Sequence, residues 1–268
     1  MTAPPSLGAM TTLRDHEVMA RLDFDFFELL VMDDDGVDEL EELLVKDERC
    51  TIVHAPEKMR VDGGRRLIDL AVEDRQRREI FVDRVNDVST MAGSLGIPTV
   101  VHPGGVRTKP TERASLHENL RTSLASLDGT LWLENMPKHY HVDGGKWCSN
   151  LCTRPDELAD LLPQVDGITL DVCHAYLSVE HGGNAAIASF FETLRGSIKH
   201  VHLSDASRPD GEGLQLGDGE IDLGALPRMR SVPVLLEIWN GHLDGGAGFS
   251  EALRRARASG SWFKGCVP

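Results

Sequence analysis

Aromatic residues are scarce, basic residues are outnumbered and cysteines are few, and each shortage removes a class of function. Phe, Trp and Tyr make up 5% of the chain, which leaves little for stacking against nucleic-acid bases. Lys and Arg number 28 against 43 Asp and Glu, a formal charge of −15 that works against non-specific attraction to nucleic acid or anionic membranes, although a local basic groove is compatible with it. Five cysteines (Cys50, Cys148, Cys152, Cys173, Cys266) are too few and too scattered for a disulfide framework in 268 residues. No apolar run approaches the roughly 18 residues of a membrane helix. The N-terminus, MTAPPSLGAMTTLRDHE, lacks a basic start followed by an apolar signal core. These absences point to a reduced, cytoplasmic protein without a membrane partner, and they leave a homo-oligomer open.

What is present is ordinary globular material, 41% apolar and 26% charged, enough to bury one large core. A single domain over residues 1–268 is expected. Short β-rich runs alternate with segments of helical periodicity. The strand candidates are Ser6–Met10, Phe24–Val31, Thr51–His54, Thr99–His102, Thr130–Glu134, Ile168–Asp171, Ile198–His202 and Val232–Glu237. Helices are expected over Arg66–Ser94, Thr111–Leu127, Arg154–Leu162, Ala185–Leu194 and Phe249–Ala258, and the acidic stretch Asp33–Glu42 reads as a solvated helix start. Eight strands alternating with helices or polar loops over about 250 residues is the rhythm of an α/β protein, a single (β/α)8 barrel. An open doubly wound sheet is the alternative, but no Gly-x-Gly-x-x-Gly loop follows the first strand.

Six of these strands end in His, Asp or Glu: His54, His102, Glu134, Asp171, His202 and Glu237. The intervals are 48, 32, 37, 31 and 35 residues, each about one strand–helix unit. In a parallel barrel the strand ends converge on one mouth. Three carboxylates brought together there repel and lose hydration unless positive charge compensates. Divalent ions supply that charge, and mixed imidazole and carboxylate ligation suits Zn, Mn or Fe. His174, three residues past Asp171, stays at the mouth as a further ligand or a substrate contact.

The segments HPG (102–104), LEN (133–135), DVCH (171–174), HVHLSD (200–205), LGDGEID (216–222) and LLE (235–237) resemble, in order, those of the xylose-isomerase-like TIM barrels. That superfamily holds sugar isomerases and epimerases together with endonuclease-IV-type AP endonucleases. In the epimerase branch, the resemblance implies one divalent ion held by Glu134, Asp171, His202 and Glu237. Glu134 and Glu237 then form the catalytic acid/base pair, and His174 and Arg208 contact a small sugar or sugar-phosphate substrate. The reaction is isomerisation or epimerisation through an enediolate. Related dehydratases share this ligand set.

In the endonuclease branch, the resemblance implies a multinuclear phosphoesterase, with His54, His102 and Glu134 as a first site and the other four ligands as a second. A third would need His174 with an Asp-x-His, where this chain has Asp210 and Glu212. Glu57-Lys58 stands where that branch carries an aromatic wedge, so DNA is disfavoured. His54 and His102 are nonetheless surplus to a mononuclear epimerase, which leaves one or two ions open. A metal-binding barrel without catalysis is a third class, set back by the intact glutamate pair.

Weaker features have plain readings beside functional ones. Cys148 and Cys152 lack a partnering pair, Cys173 is expected to turn into the core, and Trp132 and Trp239 read as packing. His139, Tyr140 and His141 either line the pocket or decorate a loop. Gly104-Gly105 is a conceivable phosphate loop.

Overall fold

The computed structural model describes residues 5–142, 144–227 and 232–259; Cys266 lies outside them. Eight parallel strands close into a barrel: β1 Leu7–Thr11, β2 Phe26–Leu30, β3 Cys50–His54, β4 Thr99–Val101, β5 Leu131–Glu134, β6 Gly167–Asp171, β7 Ile198–Leu203 and β8 Val234–Leu236. They pair in chain order, and β8 returns to β1 with Leu7 opposite Val234. The expected barrel is therefore the observed one, with each strand within a few residues of its anticipated position.

Eight helices are assigned among the described residues: α1 His16–Met19, α2 Val37–Lys46, α3 Arg75–Ser94, α4 Ala114–Leu124, α5 Pro155–Leu161, α6 Val172–Leu177, α7 Gly183–Leu194 and α8 Leu243–Ser259. α2 starts at Val37 with Asp38 and Glu39 in its first turn, where negative charge suits the helix dipole, but Asp33–Asp35 precede it and Asp35 is buried, accepting the Met32 amide at 2.8 Å. α3 begins nine residues later than Arg66. Asp74 caps it by accepting the Arg77 amide, while Lys58–Val61 and Gly64–Leu67 form a hairpin that takes up the segment before it. Within α8, Asp244, Gly245 and Gly246 adopt positive φ, so regular helix starts after them, close to the expected Phe249. Between β7 and β8 the only helix among the described residues is one turn of 3-10 helix, Leu223–Ala225. No described helix is long and apolar enough to cross a membrane.

The strands' two-residue period layers the barrel interior. Phe26, Ile52, Val100 and Leu235, with Met10 and Trp132 against them, form an apolar floor. Two residues further along the same faces come Glu28, His54, His102, Glu134 and Glu237. The larger core lies outside the barrel, between strands and helices. Trp132 is thus packing, as its sequence context suggested.

Three antiparallel additions rim the C-terminal mouth. They are the 58–67 hairpin, a three-stranded sheet of Val106–Arg107, His139–Val142 and Gly145–Ser149, and a hairpin of Asp205–Ser207 with Gly211–Leu214. The last continues directly from β7. Asp205 fixes it by accepting the amides of Ala206, Gly217, Gly219 and Ile221 at 2.8–3.0 Å.

Candidate metal centre

The six strand-end residues meet at the mouth in two groups. One is His54, His102 and Glu134; the other is Glu134, Asp171, His202 and Glu237; in each, the ligand atoms lie within 4.8 Å of one another. Glu134 belongs to both. Its Oε2 is 3.5 Å from His54 Nε2, 3.2 Å from His102 Nε2 and 3.6 Å from His202 Nδ1, while Oε1 lies 3.2 Å from His174 Nδ1. His202 Nδ1 also stands 3.0 Å from Glu237 Oε2.

Backbone contacts aim several of these groups. His54 directs Nδ1 to the Ala55 carbonyl at 2.8 Å and so turns Nε2 inward. Asn135 brackets Asp171, donating to its carbonyl at 2.9 Å and accepting its amide at 2.8 Å. The Asp171 carboxylate caps α6 through the His174 amide, which swings the His174 ring over the mouth, where Nδ1 meets the Asn135 carbonyl at 2.9 Å.

The electrostatics favour added positive charge. Burial opposes ionisation of Glu134, yet His202 and His102, with hydrogen bonds from His102 and His174, hold it well below the carboxylate range. Burial likewise opposes charge on His54, but Glu134 and Glu28 lift it to about 9. His202 and His174 are raised against burial by the surrounding carboxylates. Asp171, burial outweighing the pull of His174, is pushed up to about 8. This pocket of carboxylates, without a cation of its own, concentrates protons on its imidazoles.

Whether these residues fit a metal ion can be tested on the distances. Bonds of 2.0–2.1 Å in tetrahedral geometry put neighbouring ligand atoms about 3.3 Å apart. The contacts from Glu134 to His54, His102 and His202 and from His202 to Glu237 span 3.0–3.6 Å. His202 Nδ1 and Glu237 Oε2 are also buried without a properly directed hydrogen-bond partner, although only 3.0 Å apart. Both are ligand atoms without a hydrogen-bonding task, and the residues fit a divalent ion. A third group, Glu28 with His200 and His202, has a contact of 2.7 Å, which is a hydrogen bond and too short for that spacing.

Above the ligands opens a cleft of about 250 Å³, whose wall includes Glu57, His102, Tyr140, His141, Asp171, Cys173, His174, Ser204, Glu212, Gly213, Glu237 and Trp239. Glu237 reaches it with 28% of its side chain exposed, whereas Glu134 is 1% exposed and lies beneath. Glu212 is a wall residue that the sequence offered only as a stand-in for a missing His. Its Oε2 is buried, unpartnered and 3.8 Å from His174 Nε2, and burial raises its pKa. Asp210 turns away instead, to Lys146 at 2.9 Å and His141 at 3.5 Å.

Arg208 is not part of this wall. Its guanidinium sits 4.9 Å above the Tyr176 ring and donates to the Glu180 carbonyl. Cys173, expected to face the core, is buried yet contributes to the wall, and Tyr140 and His141 line it too. Trp239, read as packing, is 55% exposed at the rim and lies against Gly213, where a Cβ would come within 2.2 Å of the indole. Gly104-Gly105 is no phosphate loop. The Gly105 amide donates to Asp69 at 2.7 Å, and a Cβ on Gly104 would fall 2.3 Å from the same carboxylate. Cys148 and Cys152 are free thiols, and Cys152 is buried.

Glu28 was missed altogether. It sits inside the apolar run Phe26–Leu30, and its one sequence signal is that a lone acid in a central strand must be exposed or paired.

Fold and site together define a closed (β/α)8 barrel with a carboxylate–imidazole centre at its C-terminal mouth. The chain belongs to the xylose isomerase-like TIM barrel family, whose description matches residues 17–264. Among solved structures it is similar to a D-tagatose 3-epimerase-like protein, with 21% identity, a TM-score of 0.63, and 95% of this chain and 99% of the other covered. It is similar also to endonuclease IV from Thermus thermophilus, at 20% identity and a TM-score of 0.65 over 96% and 98%. A putative sugar phosphate isomerase/epimerase from Anabaena variabilis shares 11% identity and a TM-score of 0.62 over 97% and 98%. At these identities the likeness speaks for the fold. No curated protein matches the chain.

Proposed function

We propose that the chain is a metal-dependent isomerase or epimerase acting on a small, uncharged polyhydroxy carbonyl compound. The observation that carries this reading is the cleft itself. It opens on the ligand layer, is walled by carboxylates, imidazoles and aromatic rings, and its wall residues include no Lys or Arg. A phosphate group entering it would meet Glu57, Glu212 and Glu237 with no Lys or Arg in the wall to receive it, so a free sugar suits the wall better than a sugar phosphate.

Glu134, Asp171, His202 and Glu237 would hold a divalent ion, Mn or Zn, with Fe as the alternative. When bound, such an ion offsets the carboxylate charge and polarises a carbonyl or hydroxyl oxygen. Glu237, exposed to the cleft, removes the proton alpha to the carbonyl. Glu134, the other expected acid/base group, lies beneath the wall and serves as a ligand. Glu212, whose carboxyl burial pushes up from its usual range and which lies 3.8 Å from His174, is the candidate to return a proton. His174 contacts substrate oxygens, and the geometry gives Arg208 no part in the wall.

The test is solvent exchange. Metal-loaded protein incubated in D2O with a panel of free aldoses and ketoses should incorporate deuterium at the alpha carbon. Glu237→Gln should abolish this, while His54→Ala keeps most of it. No exchange with any free sugar refutes the reading.

The first ligand group supports a second reading, a multinuclear phosphoesterase. His54 and His102 both turn on Glu134, which a one-ion epimerase does not require. Cleavage of a simple phosphodiester that is lost in His54→Ala would put hydrolysis first.

A further inference from the structure

Glu28 has no part in the chemistry described so far, yet it is fully buried beneath the ligands. Its Oε2 lies 2.7 Å from His200 Nε2 and 3.2 Å from His202 Nε2. His200 is anchored from its other side, with Nδ1 directed at the Pro233 carbonyl at 3.1 Å; a carbonyl only accepts, so that nitrogen carries a hydrogen. Whichever of Glu28 and His200 holds the proton along their shorter contact, the shared oxygen has only an acceptor site left for His202. His202 therefore donates from Nε2. A neutral imidazole with its hydrogen on Nε2 has its lone pair on Nδ1, the atom that faces Glu237 Oε2 at 3.0 Å and Glu134 Oε2 at 3.6 Å.

We propose that Glu28, anchored by His200, is a positioning residue that fixes His202 in the tautomer presenting Nδ1 to the metal ion. The surroundings are built for that task. The ring of His200 packs 5.9 Å from Phe26 and from Trp132, so the carboxylate's anchor rests in the apolar floor. Regular alternation along β2 aims this side chain inward, two residues after Phe26 of the floor. The assignment rests on the metal-dependent reading above.

The test uses the full chain, labelled with 15N-histidine and loaded with Zn²⁺. A long-range 1H–15N correlation spectrum should show His202 with hydrogen on Nε2 and a ligated Nδ1. Competition with a chelator should show Glu28→Leu binding Zn²⁺ about 10–100-fold more weakly, and Glu28→Gln, which keeps an acceptor oxygen, losing less. A ligated Nε2 with hydrogen on Nδ1 in the unaltered protein overturns the proposal, and that result does not depend on how Glu28→Leu folds. Unchanged Zn²⁺ affinity in a folded Glu28→Leu also overturns it. A chain that takes up no Zn²⁺ at all refutes the metal-dependent reading itself and this assignment with it, an outcome distinct from the wrong tautomer.

Discussion

With an ion in each of the two candidate ligand groups, replacing His54 and His102 together by alanine should halve both the metal content and the metal-induced stabilisation. The structure provides two ligand groups that share Glu134, and the double variant empties one while leaving Asp171, His202 and Glu237 in place. An ion that binds only the folded chain, supplied at about 100 times its dissociation constant, stabilises by about 2.7 kcal/mol per site. Unfolding entropy for a chain of this length is roughly 0.6 kcal/mol/K, from about 2.1 cal/mol/K per residue. Each ion is then worth about 5 °C in Tm, so the unaltered protein should gain about 10 °C over its chelated form and the double variant about 5 °C. Elemental analysis of protein purified without chelator gives the stoichiometry, and calorimetry of chelated and Zn²⁺-loaded samples gives the shifts. Comparing each protein with its own chelated form removes the cost of deleting two rings from a packed interior. Equal metal content and equal shifts in both proteins would refute the two-group reasoning and leave the histidines as bystanders.

Two further perturbations probe the frame around the site. Asp205→Asn exchanges an acceptor-only group, which takes four amides at 2.8–3.0 Å, for one that presents two hydrogens to them. A loss of about 3 kcal/mol and about 5 °C in Tm is expected by calorimetry, and a change under about 0.5 kcal/mol would show that the 205–222 segment is held by other contacts. Asp47 is lowered to about 2, chiefly by its hydrogen bond from the Arg49 guanidinium. A depressed folded-state pKa gives stability that is full above about pH 4 and lost as pH falls through about 2. With Arg49 36% exposed, solvent screening cuts the contribution to about 1 kcal/mol. The deficit of Asp47→Asn in urea unfolding should thus be constant from pH 7 to 5 and shrink below pH 4; a deficit that grows on acidification would contradict the assignment.

The barrel and the candidate ligand groups were legible in the sequence for one reason. Six of the eight anticipated strands end in His, Asp or Glu, and in a parallel barrel the ends share a mouth, so His54, Glu134 and Asp171 could be brought together without coordinates. His102 and Glu237 lie one residue past β4 and β8, and the inward alternation carries them to the same layer. Glu28 was hidden because the pattern that reveals a strand assigns its interior to packing, and nothing local shows that two histidines 172 and 174 residues away will pair with it. The onset of α3 was misplaced because Leu67, Leu70 and Ala71 keep a helical spacing although the chain there runs from hairpin to loop; the cap at Asp74 was the better signal. Arg208 shows the limit of motif reading. Its spacing from His202 matches a substrate-contact position, but Tyr176 and the Glu180 carbonyl engage its guanidinium outside the cleft wall.

The placement of Glu134 has a consequence for how such a centre can change. Four imidazoles, from β3, the end of β4, α6 and β7, bear on one carboxylate across 3.2–3.6 Å. Substituting His54 or His102 alters one ligand group and spares the rest of the other, so that group can drift, weaken or disappear while Asp171, His202 and Glu237 keep their own contacts. Glu134 has no such freedom, since any change there is felt on both sides at once. On the metal-dependent reading, the barrel thus contains one group of candidate ligands open to gradual modification and a single residue shared by both, an arrangement in which the number of bound ions could vary among descendants while the shared glutamate could not.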